Sequence, residues 1–273
     1  MVMYVRFICL LAASVLSAGT LGNQPDGLYA GWLKMYDLQF PQAQRQFTAW
    51  EVGHPADPMG PLSQAAGYLF AEFARLGVLE SELFTEDKTF QHRERLNADP
   101  QARQHFDERI SRADGLADAA LGKDEDDARA LLVKSLSLGL RADYAAMIEK
   151  QNLLPLRLTK ESREYAEKLL QKHPTDYDAY LGPGVENYLL SLKPAPLRFM
   201  LQITGSKADR QAGVDELKLT AAHGHFLEPF AKLLLAVAAL RDKNPGQAQS
   251  ILTELHNRFP ENPLYVKELQ RLR

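Results

Sequence analysis

The sequence predicts an all-α chain built from antiparallel helix hairpins. Three observations predict it. Apolar residues recur at helical spacing, as in Leu62, Ala65, Ala66, Leu69, Phe70 and Phe73. No strand-like alternation runs for more than a few residues. A four-point pattern then occurs near both ends: Gly31, Ala43, Phe47 and Pro55, and Ala236, Ala248, Leu252 and Pro260, each with intervals of 12, 4 and 8. A small residue on one helix lets a small residue on the next approach closely. The larger residue one turn on fills the gap, and proline stops the second helix.

Taken in order, "MVMYVR" carries one positive charge at Arg6, and Phe7–Ala18 is an uncharged apolar run. Small residues follow, which is the pattern of a secretory signal, with residues 1–18 removed by cleavage near 17–19. The run is shorter than the ~20 residues that span a bilayer. An uncleaved N-terminal anchor is the alternative, so membrane contact is expected only through this segment. The only cysteine, Cys9, falls inside it. The mature chain would have no disulfide, thiolate metal site or cysteine nucleophile.

"DGLYAGWLKMYDL" and "PQAQRQFTAWEVG" read as the first hairpin, and "GPLSQAAGYLFAEFARLGVL" as a helix with Pro61 near its start. "FTEDKTFQHRERLNADP" reads as a polar connection with partial helix. Helices follow over "PQARQHFDERISRADGLADAALG" and "DEDDARALLVKSLSLGLRADYAAMIEKQ", the second beginning with acids at its positive end. "TKESREYAEKLLQKHP" reads as a helix capped at Thr159, with Ser162 and Glu164 in its first turns. "DYDAYLGPGVENYLLSL" reads as helix-like, interrupted at Gly182, Pro183 and Gly184.

The two four-point units resemble the tetratricopeptide repeat (TPR), a helix pair with a period of about 34 residues. Ala166 and Pro174 repeat the second half of the pattern, with Ser162 at the preceding small position. The array is not a strict tandem, since Pro55 and Pro174 lie 119 residues apart and Pro174 and Pro260 lie 86 apart. The resemblance implies a superhelical solenoid of partly degenerate repeats, forming a single domain over 25–273, clearest in units 25–57 and 229–262. The block from "YDAYLGPGVENYLLSL" to "FLEPFAKLLLAVAALRDK" also resembles exported bacterial TPR proteins of undefined function, which implies no activity.

In that family, set positions of the first helix of each unit face a concave groove. They fall here on Pro25, Leu28, Trp32, Met35 and Tyr36, and on Phe230, Leu233, Val237, Leu240 and Arg241. The first set is rich in interface residue types. Packing and partner binding are equal readings of Trp32 and Tyr36, and packing is preferred for the last set. The segment "ENYLLSLKPAPLRFMLQITG" adds Asn187, Tyr188 and Arg198 as polar groups in apolar surroundings. They suit either a docking flap or an inserted helix that covers the core.

The net charge of −3 offers no basic field to attract nucleic acid. No His-Glu-x-x-His, nucleophile elbow, phosphate loop or calcium loop is present. His54 and His173 precede helix-ending prolines and read as C-caps. His223 and His225, around one glycine, are the best metal candidate, though a weak one. The resulting expectation is a non-catalytic scaffold without cofactor or metal, binding a protein or peptide in the periplasm or cell envelope, or secreted. A helical envelope hydrolase or metal-dependent enzyme, and a self-associating structural subunit, stay open as alternatives.

Overall fold

The computed structural model describes residues 27–79, 96–151, 153–192 and 209–273. The expected signal segment and Arg198 lie outside the described residues. Those described are all-α: α1 (Gly27–Tyr36), α2 (Phe40–Gly53), α3 (Met59–Arg75), α4 (Pro100–Leu121), α5 (Ala128–Met147) and α6 (Leu153–Lys172). A 3₁₀ turn (Tyr177–Tyr180) leads to α7 (Leu181–Ser191), α8 (Arg210–His223), α9 (Glu228–Arg241), α10 (Pro245–Arg258) and α11 (Pro263–Arg271).

Local chemistry sets most of these ends. Asp99, Asp127, Asp209, Asn244 and Asn262 each accept a hydrogen bond from an amide of the helix they open. Three helices stop on the residue before a proline. The amides of His54, His173 and Phe259 donate back to Trp50, Leu169 and Leu255, each over 2.8 Å. His54 and Phe259 then turn away from helical backbone, at φ −135° and −125°. The cap expected at Thr159 is corrected. Helix α6 starts at Leu153, because Pro155 sits in the first turn, where no backbone donor is needed. The expected interruption at Gly182, Pro183 and Gly184 is corrected: all three lie within α7, with Pro183 in its first turn, where no backbone donor is needed.

Each helix packs on the next in sequence, with a short 3₁₀ turn inserted between α6 and α7, and α1, α3, α5 and α7 also touch in succession. The repeat-defining residues make the close contacts. Gly31, Ala43 and Phe47 are buried, and a β-carbon at Gly31 would sit 2.6 Å from Phe47 Cδ1. The same ring would lie 3.5 Å from a β-carbon at Gly67, so Phe47 wedges between α1 and α3. Ala236, Ala248 and Leu252 are buried in the α9–α10 hairpin. Ala166 is buried in α6, where the Ser162 hydroxyl donates to the Ser135 carbonyl at 2.8 Å. A second glycine contact joins α7 to α8. A β-carbon at Gly213 would meet the Gly184 carbonyl oxygen at 2.8 Å and the Tyr188 amide nitrogen at 2.6 Å.

The first hairpin also meets the last. The Tyr36 hydroxyl donates to the Phe226 carbonyl at 2.8 Å, and the Asn262 side-chain amide donates to the Tyr36 carbonyl at 2.8 Å. The Glu261 amide donates to Asp37 at 2.9 Å, and Arg258 donates to the Tyr29 hydroxyl at 2.8 Å. Phe70 on α3 and Phe230 on α9 meet edge to face at 5.7 Å. One hydrophobic cluster therefore includes residues from α1 to α11.

Gly31→Ala is expected to cost about 1–3 kcal/mol by overpacking against Phe47. Adding Phe47→Leu should recover part of that loss. Urea unfolding of the two single variants and the double variant measures the coupling.

Candidate binding cavity between the first and last hairpins

The loop between α8 and α9 is held by one carboxylate. Asp178, in the 3₁₀ turn, accepts hydrogen bonds from the backbone amides of His225, Phe226 and Leu227 at 2.9–3.0 Å. Burial pushes the Asp178 carboxyl above the usual carboxylate range, against the opposing pull of the three amides. Gly224 permits the approach, because a β-carbon there would lie 2.8 Å from Asp178 Oδ1 and 2.6 Å from the Thr220 carbonyl oxygen. Phe226 is thereby presented to α1. Its carbonyl receives the Tyr36 hydroxyl, and its ring lies 5.7 Å from Trp32. The Trp32 indole nitrogen donates to Ser63 at 2.8 Å, and burial raises the Tyr36 phenol well above its ordinary value.

An apolar cavity of about 80 Å³ opens beside this contact. Met35 and Tyr36 line it from α1, and Phe230, Leu233, Val237 and Leu240 line it from α9. These six belong to the two sets that the repeat resemblance assigns to a concave groove. The structure brings the sets together, so the first and last units enclose one space. Phe70, Leu79 and Leu264 extend the wall. Leu38 lines it from a left-handed backbone (φ 56°), a conformation that costs a leucine roughly 1 kcal/mol. Asn262, Tyr265 and Glu268 supply most of the remaining polar lining.

The expected partner-binding residues separate into two groups. Leu28, Trp32, Met35 and Tyr36 are buried, at 0–8% exposure. All four sit in the core, where α1 packs on α2 and α3 and meets Phe226 of the loop before α9, and only Met35 and Tyr36 reach the cavity. Asn187 and Tyr188 lie away from it, buried where α7 crosses α8. The Asn187 side-chain amide donates to Glu216 at 2.8 Å, while its oxygen and the Tyr188 hydroxyl have no hydrogen-bond partner among the described residues. Sequence reading missed Leu38, Leu79 and Leu264 as cavity residues. Single leucines beside turns carry no periodic signal.

The rings of His223 and His225 pack on different residues. The His223 ring lies 4.7 Å from Tyr177, whereas His225 stacks on Tyr29 at 4.5 Å. Among the described residues, no group of three or more His, Cys, Asp or Glu side chains could hold a metal ion. None of the described helices is long and apolar enough to cross a membrane. No family model matches the chain, and comparison with curated proteins finds no match.

Asp178→Ala strands three amide donors, those of Phe226 and Leu227 buried and that of His225 partly so, each worth roughly 1 kcal/mol or more. The expected loss is about 3 kcal/mol in a urea titration. Amide exchange should also accelerate in residues 225–227 of the variant before it does so in α4 and α5.

Proposed function

We propose that the protein is a non-catalytic, TPR-like scaffold acting in an extracytoplasmic compartment. It binds a protein or peptide partner by taking one of the partner's apolar side chains into the cavity between α1 and α9. The observation that carries this reading is the convergence of two sequence-distant groove faces on one apolar space. The signal-type N-terminus supports the compartment.

Magnitude limits what one anchor can do. Full burial of an apolar side chain contributes about 1.5–3 kcal/mol, roughly one to two decades of affinity. The partner must therefore also touch the polar rim. Arg271, a third exposed and paired with the cavity residue Glu268 at 2.7 Å, stands beside it. The scaffold supplies position and the anchor supplies selectivity.

A displayed random-peptide library tests the reading. Peptides enriched on the wild-type protein should bind Leu264→Trp, which fills the cavity from α11, at least tenfold more weakly by titration calorimetry. Failure to enrich any sequence, or equal affinity for a correctly folded Leu264→Trp variant, would contradict it.

A further inference from the structure

We infer that the face of α5 turned away from α4 carries a second contact, at which Asp143 receives a cationic side chain, lysine or arginine, of the bound partner. The inference rests on the peptide-binding reading above, but not on the cavity between α1 and α9. Arg129, Leu136, Leu140 and Asp143 follow helical spacing along one stripe of α5, and each is only partly buried. The other side of α5 is taken by α4, where Ser137 and Arg141 donate to Asp114, each at 2.7 Å. At the head of the stripe, Arg129 donates to Asp57 over 2.8 and 3.1 Å, and its guanidinium lies 5.9 Å from the Phe226 ring. The stripe ends about four turns on, at the Asp143 carboxylate.

That carboxylate is unpaired. Among the described residues, nothing donates a hydrogen bond to Asp143 and no cation pairs with it. Cations of the elements packed on α5 are engaged elsewhere: Arg75 of α3 with Glu72, Arg103 of α4 with Asp107 and Glu149, and Arg163 of α6 with Glu167 and Glu186. Arg141 of α5 itself is held by Asp114, and α7 has no cation. The surrounding protein strips water from the Asp143 carboxyl and pushes it up to about 7, although the residue still meets solvent. A desolvated acid without a partner is costly, since buried charges are normally paired. An arriving ammonium or guanidinium supplies the missing partner. Leu140 and Leu136, one and two turns before Asp143, suit the aliphatic stem of such a side chain. An anionic group would be repelled there, and an apolar one would leave the charge unpaired.

The probes are two N-acetylated tripeptides, leucyl-leucyl-lysinamide and leucyl-leucyl-norleucinamide, which differ only in the terminal ammonium. The protein carries ¹³C at its aspartate carboxyls, and Asp143→Asn identifies the Asp143 signal. In the free protein that signal should titrate with a midpoint at about 7. Saturation with the lysine peptide should lower the midpoint by about one pH unit or more, because a cation favours the ionised form. The norleucine peptide should not lower it. At about pH 8 the lysine peptide should accordingly bind roughly tenfold more tightly than the norleucine peptide. Asp143→Asn should abolish that difference without weakening the norleucine peptide. A free-protein midpoint below about 5, or equal affinity of the two peptides, overturns the cation contact and leaves the peptide-binding reading standing. If neither peptide binds, the cation contact falls, and the library selection alone decides the cavity.

Discussion

Asp178 and the three amides it holds govern how the two ends of the chain meet. The carboxylate fixes the N–H of Phe226 at 2.9 Å, and the carbonyl of the same residue receives Tyr36 at 2.8 Å. Phe226 thus relays a constraint from the 3₁₀ turn before α7 to Tyr36 on the first helix, 190 positions from it in sequence. Contacts of such separation cost loop-closure entropy, which grows only slowly with length. They hold because they are made by buried groups whose exposure without partners would be expensive. Asn262 and the Asp37–Glu261 hydrogen bond add a second tie from the far side of α1.

That closure distinguishes the molecule from a simple stack of hairpins. In a stack, each unit touches only its neighbours and the first and last units need covering. Here the ends cover each other. Trp32, Tyr36, Phe226 and Phe259 form a connected set of ring contacts, and the apolar face of α1 is withdrawn from water, while Phe230, Leu233 and Leu240 of α9 stay half-buried at the cavity. What remains open between them is a small space rather than a long groove. This is why the binding account rests on one anchored side chain and not on an extended peptide.

Much of the local architecture was legible. Helix ends at His54, His173 and Phe259 follow from the prolines that succeed them. The Gly31–Phe47 contact follows from a small residue opposite a large one. Both signals act over a few turns, where spacing maps directly onto geometry. The closure was not legible, because nothing in the periodicity of α1 or α9 says which distant helix covers it. Trp32 and Tyr36 were ambiguous for a related reason: aromatic residues suit a core and an interface equally well. The grip of Asp178 depends on Gly224 and on a 3₁₀ turn, and neither leaves a repeating pattern. The cavity was half legible, since its α1 and α9 walls were the two groove faces, while Leu38 and Leu264 entered only through folding.

The central claim is that the first hairpin rests on the last. The direct measurement is a pair of spin labels at the exposed positions Lys34 and Lys267, on α1 and α11, in a chain whose one cysteine, Cys9, is replaced by serine. The account predicts one short, narrow distance distribution, which broadens when Tyr36→Phe and Asn262→Ala remove the two ties to α1. A long or broad distribution in the otherwise unaltered protein would contradict it, because the ends would then be apart and the cavity would not exist.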